Sequence, residues 1–281
     1  MDAERFEVTV PGGTLVGAVS GSGTPVLLLH GGPGLGGAYL EDLAAELVEA
    51  YRVAWYQQRG LAPSTAAGPY DVPTQAADVT LVLDALGWDR AVVIGHSWGG
   101  HLLLHVVAAH PQRLLAAVVV DPLGGVGDGG EALFSAEMSA RTPAQSIARM
   151  EELDARAMAG EGTPDEALES LRLAWPAYFA DPSQAPPMPP TTLSVDAYSQ
   201  TFDSVHAELP ALAGRLADTA VPTVFVHGAS SPMPLSASTD TAAAMGANAS
   251  VVVVAATGHF IWHESPGSVR TALDELLAAR P

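Results

Sequence analysis

The sequence predicts an α/β protein: a mostly parallel eight-stranded sheet with helices on both faces and a mainly helical cap inserted after the sixth strand. Three observations carry this reading. Short apolar runs alternate with stretches of helical spacing from residue 25 to 121. The alternation stops over 122–219 and resumes at 221. A length of 281 residues suits one large domain with an insertion. A second independent domain fits less well, because the C-terminal third is needed to finish the first sheet.

Two short strands, "RFEVTV" and "TLVGAVS", open the chain around the turn "PGG". "PVLLLH" (25–30) is a continuous apolar run ending in glycines, as in a parallel strand buried on both faces. "AYLEDLAAELVEA" has helical spacing, "YRVAWYQ" reads as a strand, and "TQAADVTLVLDALG" as a helix stopped by Gly87. The strand "AVVIGH", the helix "WGGHLLLHVVAAH" and the strand "RLLAAVVVD" follow. Residues 122–219 lack buried strand runs and contain "PLGGVGDGG" and the Pro-rich "DPSQAPPMPP". They form the cap, and 1–121 with 220–281 form the core. The core closes with "VPTVFVHG", "NASVVVVAATGH" and the helix "SVRTALDELLAAR".

Composition narrows the function classes. With no cysteine, a disulfide framework, a thiol nucleophile and a cysteine metal site are all excluded. The formal charge is −19 and all twelve basic residues are arginine, a balance that repels phosphate backbones and argues against nucleic-acid partners. No apolar run reaches the length of a bilayer span, and "MDAERFEVTV" has no signal core. The expectation is a cytoplasmic protein acting on a small molecule, with no membrane partner.

Residues 95–100 read "GHSWGG", which fits G-x-S-x-G with Ser97 at its centre, between a strand and a helix. In that motif the chain turns sharply and exposes the serine hydroxyl at the apex. "HGGPG" (30–34) also follows a strand, and acyl transfer needs preorganised N–H donors for the oxyanion that forms on attack. Gly32 and Trp98, the residue after the serine, are the candidate donors; His30 reads as structural. "ATGHFIWHESP" (256–266) follows the last strand and offers His259 as the base a serine requires. His263 reads as a surface or packing residue. His101 and His105 have the i, i+4 spacing of a metal pair but no third ligand, and read as helix-face histidines without metal.

With these elements on the page, the chain resembles the α/β-hydrolase superfamily over nearly its whole length. "HGGPG" followed by "GHSWGG" is most similar to the proline iminopeptidase branch and its esterase- and lactonase-like relatives. "YQQRGLAPS" (56–64) is similar to that branch's D-Q-R-G-x-G-x-S segment, with Gln57 where the family usually has aspartate. The resemblance implies an α/β-hydrolase fold, a serine hydrolase working through an acyl-enzyme, and no cofactor. It also implies a catalytic acid after the seventh strand, in G-x-x-D. Here that position is Ser231, in "VHGASSPMP". Asp121, at the end of the sixth strand, is the replacement candidate, since some α/β-hydrolases, including certain haloalkane dehalogenases, keep their acid there. The alternative is that Asp121 only ends the strand. Asp240 falls inside a helix, and nothing in their spacing favours Asp203 or Glu208.

Hydrolysis of an ester, lactone or small amide is therefore the leading expectation. An iminopeptidase would need cap carboxylates for the substrate's ammonium group. Glu131, Glu137, Glu151, Glu152 and Glu208 are available, but no spacing singles out a pair. A repurposed cyclase, lyase or ligand-binding protein is the competing class, and the intact serine and histidine argue against it. Dehalogenase and epoxide hydrolase chemistry, which in this superfamily uses an aspartate nucleophile, does not fit a serine elbow. Trp175, Tyr178, Phe179, Phe202 and Phe260, with Trp262, are candidates for an apolar substrate pocket, core packing being the alternative.

Overall fold

A computed structural model describes residues 3–279. The chain opens with β1 (Glu4–Val10) and β2 (Gly13–Gly21), an antiparallel pair, followed by β3 (Thr24–Leu29). The short helix α1 (Glu41–Leu47) leads to β4 (Tyr51–Gln57), and α2 (Val72–Ala85) to β5 (Ala91–His96). Next come α3 (Trp98–Ala109) and β6 (Leu114–Val120). The cap segment carries α4 (Glu131–Arg141), α5 (Ala144–Met158), α6 (Pro164–Ala174) and the long α7 (Val195–Ala217). The core finishes with β7 (Thr223–Gly228), α8 (Leu235–Met245), β8 (Ala249–Val254), α9 (Ile261–Glu264) and α10 (Ser268–Ala278).

The strands form one eight-stranded sheet in the order β1-β2-β4-β3-β5-β6-β7-β8. Only the pairings β1–β2 and β2–β4 are antiparallel. The central strands are apolar through most of their length because both faces are covered, with His96 and His227 near their carboxyl ends. Leu27, Val93, Val119 and Phe225 face one way, onto α2, α3 and α8. Their neighbours Val26, Val92, Val118 and Val224 face α1 and α10. Every parallel strand thus delivers its carboxyl end to the same edge, where β5, β6 and β7 release Ser97, Asp121 and Ala229.

Two details differ from the sequence reading. Helix α2 starts earlier than "TQAADV", because Asp71 caps it by accepting from the Thr74 N–H at 2.7 Å. Helix α7, placed wholly in the cap, also walls the core. Its later half repeats buried residues at Val205, Leu209, Leu212 and Leu216, and this stripe packs with α2, α3 and α8.

Candidate active site

Ser97 is the whole turn between β5 and α3, at φ 56° and ψ −121°, a conformation that non-glycine residues avoid. The turn closes only around glycine. A Cβ at Gly95 would stand 2.2 Å from the Gly99 carbonyl oxygen, and one at Gly99 2.2 Å from that of Leu29. The Ser97 N–H is held by the Val120 carbonyl at 2.9 Å, which ties the elbow to β6.

The loop after β3 lies against this elbow: a Cβ on Gly31 would be 3.0 Å from the Ser97 Cβ. Among the described residues, neither the Gly32 N–H nor the Trp98 N–H donates a hydrogen bond, so both remain available to an incoming oxygen. His30 is structural in its contacts. Its Nδ1–H donates to the Gly31 carbonyl at 2.7 Å, and its Nε2 accepts from the Gln58 N–H at 3.0 Å. Burial, opposed by the Gly31 bond, lowers its pKa to about 4. The Gln58 side chain donates to the His30 carbonyl and accepts from the Trp98 indole, both at 2.9 Å, and so ties the loop after β3 to the start of α3. Gln57, where the family usually has aspartate, accepts from the Gly37 N–H at 2.9 Å. Arg59 and Asp78 form a buried two-bond pair at 2.5 and 2.7 Å that anchors this segment.

The structure brings His259 and Asp121 together. Imidazole Nδ1 and carboxylate Oδ2 are 2.5 Å apart, with Asp121 fully buried and His259 3% exposed. Asp121 follows β6 at φ 44°, a strained left-handed position for a β-substituted residue. Its second oxygen accepts from the Gly228 N–H at 3.2 Å and lies 3.3 Å from His227 Nδ1. Ser231, at the family's usual acid position, donates its hydroxyl to Asp121 Oδ2 at 2.5 Å. It therefore supports the carboxylate rather than reaching the imidazole itself. Asp240 and Asp203 are exposed on α8 and α7, and Glu208 pairs with Arg215, so none of them occupies this position.

Three of the other histidines, His263, His101 and His105, find their partners away from Asp121. His263 is exposed and 3.9 Å from Asp42. His101 donates from Nδ1 to the carbonyls of Gly124 (3.2 Å) and Leu123 (3.3 Å), and its Nε2 is 3.2 Å from His105 Nε2. Of the expected pocket aromatics, Phe179 and Phe260 are 2% and 7% exposed, stack at 5.5 Å and pack in the core, the alternative weighed for them. Trp175 is half-buried against Phe260, its indole donating to the Pro186 carbonyl at 2.7 Å. Tyr178 lies 5.1 Å from the His259 ring, and the half-buried Phe202 packs on Tyr198.

Sequence reasoning missed Tyr39, His96, Gln58 and His227. Their contacts are polar and made across the fold; His96 stands at the variable position of the serine motif, Gln58 at the glutamine of the D-Q-R-G-like segment and His227 just before the glycine of "GASS".

Residues 24–266 match the family profile for the alpha/beta hydrolase fold, and the chain belongs to that family. It is similar to the putative carbamate hydrolase RutD of Caulobacter segnis, at 39% identity over 103 residues. That match spans 36% of this chain and 39% of the relative, so the chain covers well under two thirds of that protein. It is 26% identical to epoxide hydrolase A of Mycobacterium tuberculosis, over 91% of both chains. Among solved structures, a proline iminopeptidase-related protein of Thermus thermophilus shares the fold with TM-score 0.70 and 22% identity, covering 99% of this chain and 98% of that one. No helix among the described residues is long and apolar enough to cross a membrane.

Proposed function

We propose that this protein is a serine hydrolase that cleaves a small carboxylic ester, lactone or amide through an acyl-enzyme. The carrying observation is the buried Asp121–His259 pair at 2.5 Å, set beside a strained serine elbow. Ser97 Oγ attacks the substrate carbonyl carbon while His259 Nε2 takes its proton. Asp121, bonded to Nδ1, fixes the tautomer and balances the imidazolium that forms. The Gly32 and Trp98 N–H groups receive the oxyanion, where losing one such donor costs about 3–4 kcal/mol of transition-state stabilisation. Collapse breaks the bond to the leaving group, which leaves with the proton from His259. Water, deprotonated by the same imidazole, then releases the acid and restores Ser97. Tyr178, beside His259, and Phe202 offer an apolar wall for the substrate.

The aminopeptidase reading ranks below this one on a specific observation. Glu131, Glu137, Glu152 and Glu208 already face His206, Arg141, Arg149 and Arg215 within the cap region, which leaves them poorly disposed to hold a substrate ammonium. Relatives named as carbamate and epoxide hydrolases widen the range of substrates to try, although a serine elbow suits acyl transfer rather than epoxide opening.

Turnover of p-nitrophenyl esters, lactones and aminoacyl-nitroanilides by wild type and Ser97→Ala tests this. Esters or lactones should be cleaved, and the substitution should lower kcat about a thousandfold or more while leaving the circular dichroism unchanged. Turnover by Ser97→Ala within tenfold of wild type would remove the serine mechanism. Cleavage of the nitroanilides alone would select the aminopeptidase.

A further inference from the structure

Three segments must stay in register for the proposed chemistry: the loop of Gly31 and Gly32, the elbow of Ser97, and the loop of His259. One chain of hydrogen bonds, part-buried at Tyr39 and buried at His96, touches all three. The Gly31 N–H is 2.5 Å from the Tyr39 hydroxyl, that hydroxyl is 2.8 Å from His96 Nδ1, and His96 Nε2 is 3.0 Å from the His259 carbonyl oxygen. His96 is the residue immediately before Ser97 and is 2% exposed.

The two ends of this chain fix its direction. A backbone N–H can only donate, so the Tyr39 oxygen accepts from Gly31 and turns its own proton towards His96 Nδ1. A carbonyl can only accept, so His96 Nε2 must carry the hydrogen given to His259. One assignment satisfies every atom: a neutral His96 in its Nε2–H tautomer. Burial, followed by the charge of nearby His259, holds His96 well below the ordinary histidine range, which keeps that neutral form in place. The His259 backbone is then held at both ends, since its N–H donates to the Tyr178 carbonyl at 2.8 Å.

We propose that Tyr39 and His96 are positioning residues: their hydrogen-bond chain of fixed polarity locks the donor loop and the His259 backbone to the nucleophile elbow. This rests on the serine-hydrolase reading for its catalytic consequence, but not for its geometry. Tyr39 touches no reacting atom. It presents its hydroxyl from a 3₁₀ turn (Ala38–Leu40), with its ring stacked on Trp262 at 6.1 Å and edge-on to Phe260 at 5.8 Å. Those ring contacts survive in Tyr39→Phe, which removes only the link. That substitution strands a buried donor on Gly31 and a buried acceptor on His96, and both loops gain freedom to drift from the geometry that attack requires.

Two measurements on the full-length protein test this. In the first, kcat and KM of Tyr39→Phe are taken on the best substrate, with enzyme counted by fluorophosphonate titration and folding followed by thermal melting. The expected result is a kcat lower by about tenfold or more, with KM within about twofold and a melting temperature within a few degrees of wild type. A kcat within twofold of wild type, or a loss that appears in KM alone, overturns the proposal. In the second, long-range ¹⁵N NMR correlation reads the His96 tautomer, assigned by comparison with His96→Gln. The neutral Nε2–H form is expected at pH 7; the Nδ1–H or doubly protonated form overturns the proposal whatever the kinetics show. The NMR result does not depend on Ser97, so a failure of the serine mechanism, seen as active Ser97→Ala, is told apart from a failure of the chain.

Discussion

Two clusters of buried histidine behave differently in this molecule. His101 and His105, one turn apart on α3, meet each other, two carbonyl groups and, at 3.4 Å from His105 Nδ1, the Arg215 guanidinium. No carboxylate is among these partners. Burial alone lowers His101 to about 4 despite the two carbonyl bonds, and burial with the charges of His101 and Arg215 lowers His105 to about 2. His259 is buried as deeply, yet it faces the Asp121 carboxylate at 2.5 Å. Desolvation without an anion makes an imidazole an inert neutral connector. An anion gives the imidazolium formed during proton transfer a counter-charge, which a general base needs. On the proposed reading, what sets the base apart from its neighbours is the residue it faces, not its burial.

That contrast has a large expected consequence in kinetics. His259→Ala should lower kcat about a hundredfold to ten-thousandfold, the usual range for a lost general base. His105→Ala should stay within tenfold of wild type and lower the melting temperature instead. Steady-state kinetics on both variants would break the comparison if the two losses in kcat were equal.

The pH dependence of stability should show the smaller effect. In the folded chain His30 and His101 titrate near 4 and His105 near 2, whereas an unfolded histidine titrates near 6.5. Above pH 6.5 all are neutral in both states and contribute no slope. Below it the unfolded chain takes up protons that the folded chain refuses, so stability falls from about pH 6.5 towards the folded values, by about 1.4 kcal/mol per pKa unit of difference. Melting temperatures measured between pH 7.5 and 5 should therefore drop, and drop less steeply in His105→Gln. An unchanged slope in that variant would mean that His105 is not held neutral by burial.

Much of the fold was legible because the relevant forces are periodic. Short, β-branched apolar runs such as "AVVI" and "LLAAVVV" between turn residues fit strands covered on both faces, and glycines at 95 and 99 mark where backbone meets backbone. The meeting of Asp121 with His259 could be anticipated from strand ends at one sheet edge, although 138 residues separate them. What stayed hidden depends on tertiary direction. Nothing in the sequence tells an aromatic that lines a pocket from one that fills a core, and Phe179 and Phe260 fell on the core side. Tyr39 sits in a short turn without a pattern, and its role exists only because the His96 ring comes within reach of its hydroxyl. Helix α7 reads as cap by position, but its buried stripe continues into the core.

The most direct test of the relocated acid compares kcat for Asp121→Asn and Ser231→Ala on the same substrate. In a serine protease triad, the equivalent aspartate-to-asparagine change costs about 10⁴-fold by favouring the wrong tautomer. Asp121→Asn should fall steeply, towards that scale. Ser231→Ala removes one of several hydrogen bonds to the carboxylate and should cost about tenfold or less. A near-neutral Asp121→Asn beside a damaging Ser231→Ala would contradict the account and return the catalytic role to the seventh strand.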